Sequence, residues 1–162
     1  MRARAVFALI VSLFLLSCAD APTQLVAVID TDLDTPDPVA RFRVRSLRAD
    51  ADVEEELSSV LVTIDGATTF PIAVAVEPFD AMDVGRVILE VEAQGQTGLR
   101  VVAQRATTEF RVGEQLAVPF DLVDSCRRVN CPPGDTCGLM GCRSQEVEAA
   151  SLSPFEGALD AP

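Results

Sequence analysis

The chain has 162 residues, 49% of them hydrophobic, which suits one compact domain with at most a small appendage and excludes a wholly disordered chain. With 25 acidic against 13 basic side chains and a net charge of −12, it has the wrong sign to bind a phosphate backbone by counterion release, so no nucleic acid partner is expected. His, Trp and Tyr are absent and every basic residue is Arg, which removes most side chains that carry proton transfer or Schiff-base chemistry.

At the amino terminus Arg2 and Arg4 precede an apolar run from Ala5 to Leu16 broken only by Ser12. This is the pattern of a secretory signal peptide over residues 1–17. As a helix the run is about 18 Å long, short of the roughly 30 Å hydrocarbon core, so it is expected to be removed. Leu15-Leu16-Ser17-Cys18 resembles the lipobox of bacterial lipoproteins, with Leu16 a less usual residue before the small one. That resemblance implies cleavage before Cys18, diacylglyceration of its thiol and acylation of the new amino terminus. The competing reading is an ordinary signal peptide with a chance Cys at its end. Cleavage takes Arg2 and Arg4 away and leaves 25 acids against 11 Arg, a net charge of −14 that anionic lipid repels, so the membrane anchor has to be the acyl chains. Residues 18–23 then form a lipidated tether.

From residue 24 to 123 the apolar positions alternate with period two, which predicts half-buried strands. Leu25 to Ile29 is the first. Arg41-Phe42-Arg43-Val44-Arg45 follows, with its arginines outward. Val60, Val62 and Ile64 come next, then Ile72, Val74 and Val76, then Val87, Leu89 and Val91 with Glu90 and Glu92 on the opposite face. Leu99, Val101 and Ala103 are read as inward, with Arg100 and Gln104 outward. Phe110 with Val112, then Leu116, Val118, Phe120 and Leu122, bring the total to eight strands. Asp65-Gly66 and Gly113-Glu114 read as tight hairpin turns, too short for parallel crossovers. Pro119 points to an edge or a bulge. The expected fold is all-β, an antiparallel two-sheet sandwich of immunoglobulin-like or Greek-key type, with a small barrel as the alternative.

Four further cysteines lie in residues 124–143 with the spacing C-x4-C-x5-C-x4-C. In an exported chain they predict a disulfide-stapled C-terminal segment. Of three possible pairings, Cys126 with Cys137 and Cys131 with Cys142 is preferred, because interleaved bridges best lock a segment poor in apolar residues. Pro133-Gly134 between them has the order of a type II turn. A four-thiolate zinc site is the rival, disfavoured by the five-residue gap and the oxidising compartment, and no metal or other cofactor is expected. A third reading is a small binding knot like those of epidermal-growth-factor-like modules. Together, the lipobox, the strand-rich body and Cys126-Arg-Arg-Val-Asn-Cys131-Pro-Pro-Gly-Asp-Thr-Cys137 resemble a set of uncharacterised lipoproteins of the myxobacterial type. That resemblance implies no activity.

Asp30, Asp32 and Asp34 open like an EF-hand loop, but its sixth position needs Gly and holds Thr35, and its twelfth needs Glu and holds Arg41. A solvated acidic loop is preferred over a calcium site. Asp50, Asp52, Glu54, Glu55 and Glu56 likewise read as an exposed connection that blunts edge pairing. No Ser-His, Ser-Lys or Cys-His arrangement can be assembled, and a carboxylate-pair glycosidase would lack Trp and Tyr platforms for sugar. Residues 144–162 read as an acidic flexible tail. The expectation is a non-enzymatic, lipid-anchored envelope protein whose sandwich presents a protein-interaction or structural surface to an envelope partner. A small-ligand or calcium binder is the alternative. Ala19, in place of Asp after the Cys, leans toward the outer membrane.

Overall fold

The computed structural model describes residues 22–49, 54–80 and 85–159. Residues 1–17 and Cys18 lie outside the described residues, as do Asp50 and Asp52. Seven strands form the body: β1 (Gln24–Thr31), β2 (Arg41–Arg48), β3 (Glu56–Thr63), β4 (Ile72–Val76), β5 (Arg86–Gln94), β6 (Arg100–Glu109) and β7 (Gln115–Leu122). A short hairpin of β8 (Asp135–Gly138) and β9 (Gly141–Ser144) follows, then β10 (Ser153–Pro154). One sheet has the order β10-β7-β1-β4 and the other β3-β2-β5-β6. The chain is all-β and forms a sandwich, as the alternating pattern predicts, with no α-helix among the described residues.

The inward faces of the two sheets meet in a core built from Leu25, Ala27, Ile29, Phe42, Val44, Leu89, Val91, Val118, Phe120 and their neighbours, all essentially inaccessible. Each such Val, Leu, Ile or Phe contributes about 1.5–3 kcal/mol by leaving water. Phe42 and Phe70 meet edge to face, with ring centroids 5.9 Å apart.

The connections differ from the expectation. Thr63 and Ile72 belong to different sheets, so the Asp65-Gly66 stretch carries the chain across the sandwich and closes no hairpin. Its turn is held by Asp65, whose Oδ1 accepts from the Ala67 N–H and the Thr68 hydroxyl. The second link also changes sheet. There Gly113, at φ 73°, is the third residue of a turn closed by the Glu114 N–H on the Arg111 carbonyl, and no hairpin forms. Phe110 is buried in this link and Val112 exposed, and the seventh of the eight expected strands does not form there. Nor is the pairing wholly antiparallel. β1 and β7 run parallel over eight paired positions, Gln24 opposite Gln115 through Thr31 opposite Leu122. A parallel pair needs a long crossover, and here the whole intervening sandwich provides it.

Pro119 does sit at an edge. The Gln115 carbonyl and the Asp121 main chain both bond away from β1, so by the two-residue period the Pro119 nitrogen faces the same side. β10 reaches only Leu116 and Ala117, so no ladder bond is lost.

The phase of β6 is one residue off the expectation. Val102, Gln104 and Ala106 face inward, opposite Ala93, Val91 and Leu89, while Ala103 and Arg105 face out and Leu99 is 73% exposed in the turn. A register shift between Ala93 and Gln94 absorbs the extra residue. What makes a buried Gln acceptable is full satisfaction of its amide. Gln104 Nε2 donates to the Asp121 and Cys137 carbonyls, and its Oε1 accepts the Asp121 N–H at 3.0 Å.

Residues 124–155 pack against the open side of the sandwich, between β6 and β7. The bridges are Cys126–Cys137 and Cys131–Cys142, the interleaved pairing. With all four thiols oxidised, no thiolates remain for zinc. Pro133 and Gly134, at φ 88°, occupy a turn closed by the Asp135 N–H on the Pro132 carbonyl, as their order predicts. The 144–162 tail is corrected over its described part. The Thr107 N–H donates to the Gln145 carbonyl, the Val147 N–H to the Thr107 carbonyl, Ala149 is buried, and β10 extends the β7 edge.

Two outcomes follow from this packing. Gln104→Ala strands two carbonyls and one N–H in the interior, and denaturant titration should show a loss of about 2–4 kcal/mol. Each disulfide closes a loop worth roughly 3 kcal/mol of unfolded-state entropy, and Cys126 and Cys137 belong to the core. Reduction should therefore lower the stability of the whole domain, with the Arg105 and Thr107 amides losing exchange protection first. Unchanged protection of β6 after reduction would show that residues 124–155 are a dispensable appendage.

Candidate functional site

The outward face of the β3-β2-β5-β6 sheet carries an ionic roof that alternation alone would leave in water. Arg41, Arg43 and Arg45 of β2 and Glu90 and Glu92 of β5 all point to this side, but Glu90 is only 1% exposed. Arg45 and Arg105 clasp its carboxylate from either side, the second through Nε at 2.5 Å. Arg105 also reaches Glu54 at 2.5 Å, Arg43 holds Glu56 at 2.8 Å, and Arg48 holds Glu55 at 2.8 Å. Glu54, Glu55 and Glu56 are exposed, as expected, and each is also held by an arginine. The Arg105 guanidinium hydrogen-bonds Glu54 and lowers its pKa below the ordinary carboxylate range. The Thr68 hydroxyl and Ala67 N–H do the same for Asp65. A depressed folded-state pKa adds stability above the ordinary range that is lost as the pH falls through the depressed value.

The acidic loop after β1 does not converge on a point. Asp30 Oδ1 accepts the Thr31 N–H, Asp32 Oδ1 accepts the Asp124 N–H, and Leu33 between Asp32 and Asp34 is buried. Among the described residues no three His, Cys, Asp or Glu side chains are grouped to hold a metal.

Two features that sequence reasoning missed lie at the end of the sandwich where β1 finishes. One is a set of exposed apolar tips. The β5–β6 turn presents Leu99, and it lies beside the β1–β2 loop because the Ala40 N–H donates to the Gln94 carbonyl. The β8–β9 hairpin climbs β6 from Thr107 toward Gln104, so its tip, Leu139 at 65% and Met140 at 99% exposure, points to the same end. The other feature is a cleft of about 420 Å³ between β6 and the Cys126–Cys131 loop, lined by Arg100, Arg105 and Arg128 with Glu90 and Asp135. Arg128 stands at φ 62°, unusual for a side chain of that size. The Arg-Arg pair inside a cysteine segment of an acidic chain was the available signal.

Removing the Glu90 carboxylate leaves Arg45 and Arg105 facing each other across a half-buried space. Glu90→Ala should cost about 3–5 kcal/mol by denaturant titration, several times the effect of Glu55→Ala at an exposed pair. Comparison with known proteins finds no matching family, no matching curated protein and no matching solved structure, so the functional reading rests on this geometry.

Proposed function

We propose that the protein is a lipid-anchored component of the cell envelope, held in the outer membrane through Cys18, whose non-catalytic sandwich presents a docking surface at the end remote from the anchor. The observation that carries this reading is the placement of Leu99, Leu139 and Met140. The chain enters the sandwich at Gln24, and β1 runs seven residue steps of roughly 3.3 Å, about 23 Å, before reaching the end where those tips project. Phe79 and Val112 are exposed singly at the tether end, whereas Leu99, Leu139 and Met140 project from two neighbouring turns at the far end, where such side chains can act together in association. The two disulfides suit an oxidising compartment, and the lipobox resemblance supplies the anchor. An alphabet without His or Lys, with its four described cysteines oxidised, supports a binding role over catalysis.

Two measurements test it. Cys18→Ser should abolish incorporation of labelled fatty acid and leave the precursor uncleaved, and labelling equal to wild type would remove the anchor. A photo-crosslinking residue at Met140 should give discrete adducts in intact cells, while one at Val112, at the tether end, should give fewer. Equal yields from both positions would remove the docking surface.

A further inference from the structure

We propose that the cleft between β6 and the Cys126–Cys131 loop binds the carboxyl-terminal residues of an extended polypeptide, added as a short strand beside Val101 and Ala103 with its carboxylate neutralised by Arg100 and Arg128. The inference deepens the docking reading and rests on it.

β6 is the edge strand of its sheet, and its outward-pointing backbone is spoken for only in part. Arg105 donates its N–H to Thr136 Oγ1 at 2.9 Å and Thr107 donates to the Gln145 carbonyl at 2.7 Å, both away from β5. By the two-residue period the Ala103 N–H and carbonyl point the same way. Among the described residues they meet no hydrogen-bond partner on that side, and Val101, at the register shift, lines the same cleft. An unpaired strand edge is a template for a further strand, and a polypeptide supplies alternating donors and acceptors at the matching spacing.

The charges select which part of a polypeptide fits. Most of the described arginines are engaged, and Arg127 next door is held by Asp124 at 2.7 Å. Arg128 has no ion pair among the described residues, while Arg100 approaches Glu92 only to 3.9 Å with a side chain 62% exposed. Glu90, on the same wall, is already taken by Arg45 and Arg105. Arg100, Arg105 and Arg128 outnumber Glu90 and Asp135 in the cleft, and with Arg128 unpaired and Arg100 only loosely held beside the unpaired Ala103 N–H, a carboxylate is favoured over a cationic group. From Arg105 onward the edge is occupied by Thr136 and Gln145, so the added strand is short, with its terminal carboxylate toward Arg100 at the open end and its preceding residues leaving the sheet before Thr136.

The probe is the N-terminally labelled peptide Val-Thr-Val-Thr-Val with a free carboxyl terminus, titrated by fluorescence anisotropy against the full oxidised chain. Amidation of its terminus, Arg128→Ala and Arg100→Ala should each weaken binding about tenfold, which corresponds to about 1.4 kcal/mol. Arg127→Ala should leave it unchanged. N-methylation of alternate peptide amides should abolish binding, a readout that does not depend on any protein variant folding. Equal affinity of the amidated peptide, insensitivity to both arginine variants, or full competition by acetate at the peptide's own dissociation constant would overturn the proposal, the last by reducing the cleft to a small-anion site. Absence of binding would overturn it as well. Met140 crosslinks that persist in that case would leave the docking reading intact, whereas their absence together with absent peptide binding would remove both.

Discussion

The buried amide of Gln104 sets the geometry on which the rest of this molecule depends. Its three hydrogen bonds reach Asp121 of β7 and Cys137 of β8, so one side chain ties the edge of one sheet to the other sheet and to the disulfide hairpin. A half-satisfied amide in that position would cost more than an apolar side chain, so the arrangement is stable only when all three bonds form together. Once Gln104 is inward, Arg105 has to be outward, where it reaches Glu90 and Glu54, and the Arg105 N–H has to face Thr136. The phase of one strand thereby fixes the ionic roof, the docking of the cysteine segment and the position of the open edge at Ala103.

That dependence explains why the C-terminal segment is more than a cap. A sandwich whose first and last body strands pair in parallel has no hairpin to close the side between β6 and β7. Residues 124–155 fill it, with Cys126, Cys137 and Ala149 contributing to the core and β10 covering part of the β7 edge. The segment has few apolar groups with which to offset its own ordering entropy, and the bridges reduce that deficit by restricting the unfolded chain. Its coverage stops short of Ala103, which leaves an interrupted edge instead of a continuous one.

Much of this was legible in the amino-acid sequence because period-two alternation is a local consequence of one buried face. β1, β2, β4, β5 and β7 have inward residues where the pattern puts them, and four cysteines at that spacing led to the observed pairing. β6 was misread because Val101, Val102 and Ala103 are apolar on both phases, and a polar Gln104 suggests solvent until its partners on β7 and β8 are known. Those partners are 17 and 33 residues away, beyond any local window. The two short links looked like hairpins because turn chemistry reports how sharply a chain bends, not whether the flanking strands share a sheet. The tail looked unstructured because its order comes from the Thr107 main chain and from β7, and its own side chains carry no periodicity. The roof and the cleft escaped for the same reason, since Glu54, Glu90 and Arg105 come from three separate segments.

The exclusive use of Arg then acquires a physical sense. A guanidinium presents a planar fork of donors, so Arg105 can bridge Glu54 and Glu90 and Arg45 can approach Glu56, Glu90 and Glu92, where a single ammonium would serve fewer partners. The fork is also more weakly hydrated, which lowers the cost of bringing a carboxylate as inaccessible as Glu90 out of water. An acidic chain that commits its cations internally in this way keeps a negative surface that discourages adsorption to anionic lipid and to nucleic acid. Against that background Arg100, Arg105 and Arg128 outnumber Glu90 and Asp135 in the cleft, a local excess of positive charge beside an unpaired strand edge. A partner carrying a carboxylate would meet repulsion over most of the molecule and attraction at that cleft, which confines docking to one place and one orientation.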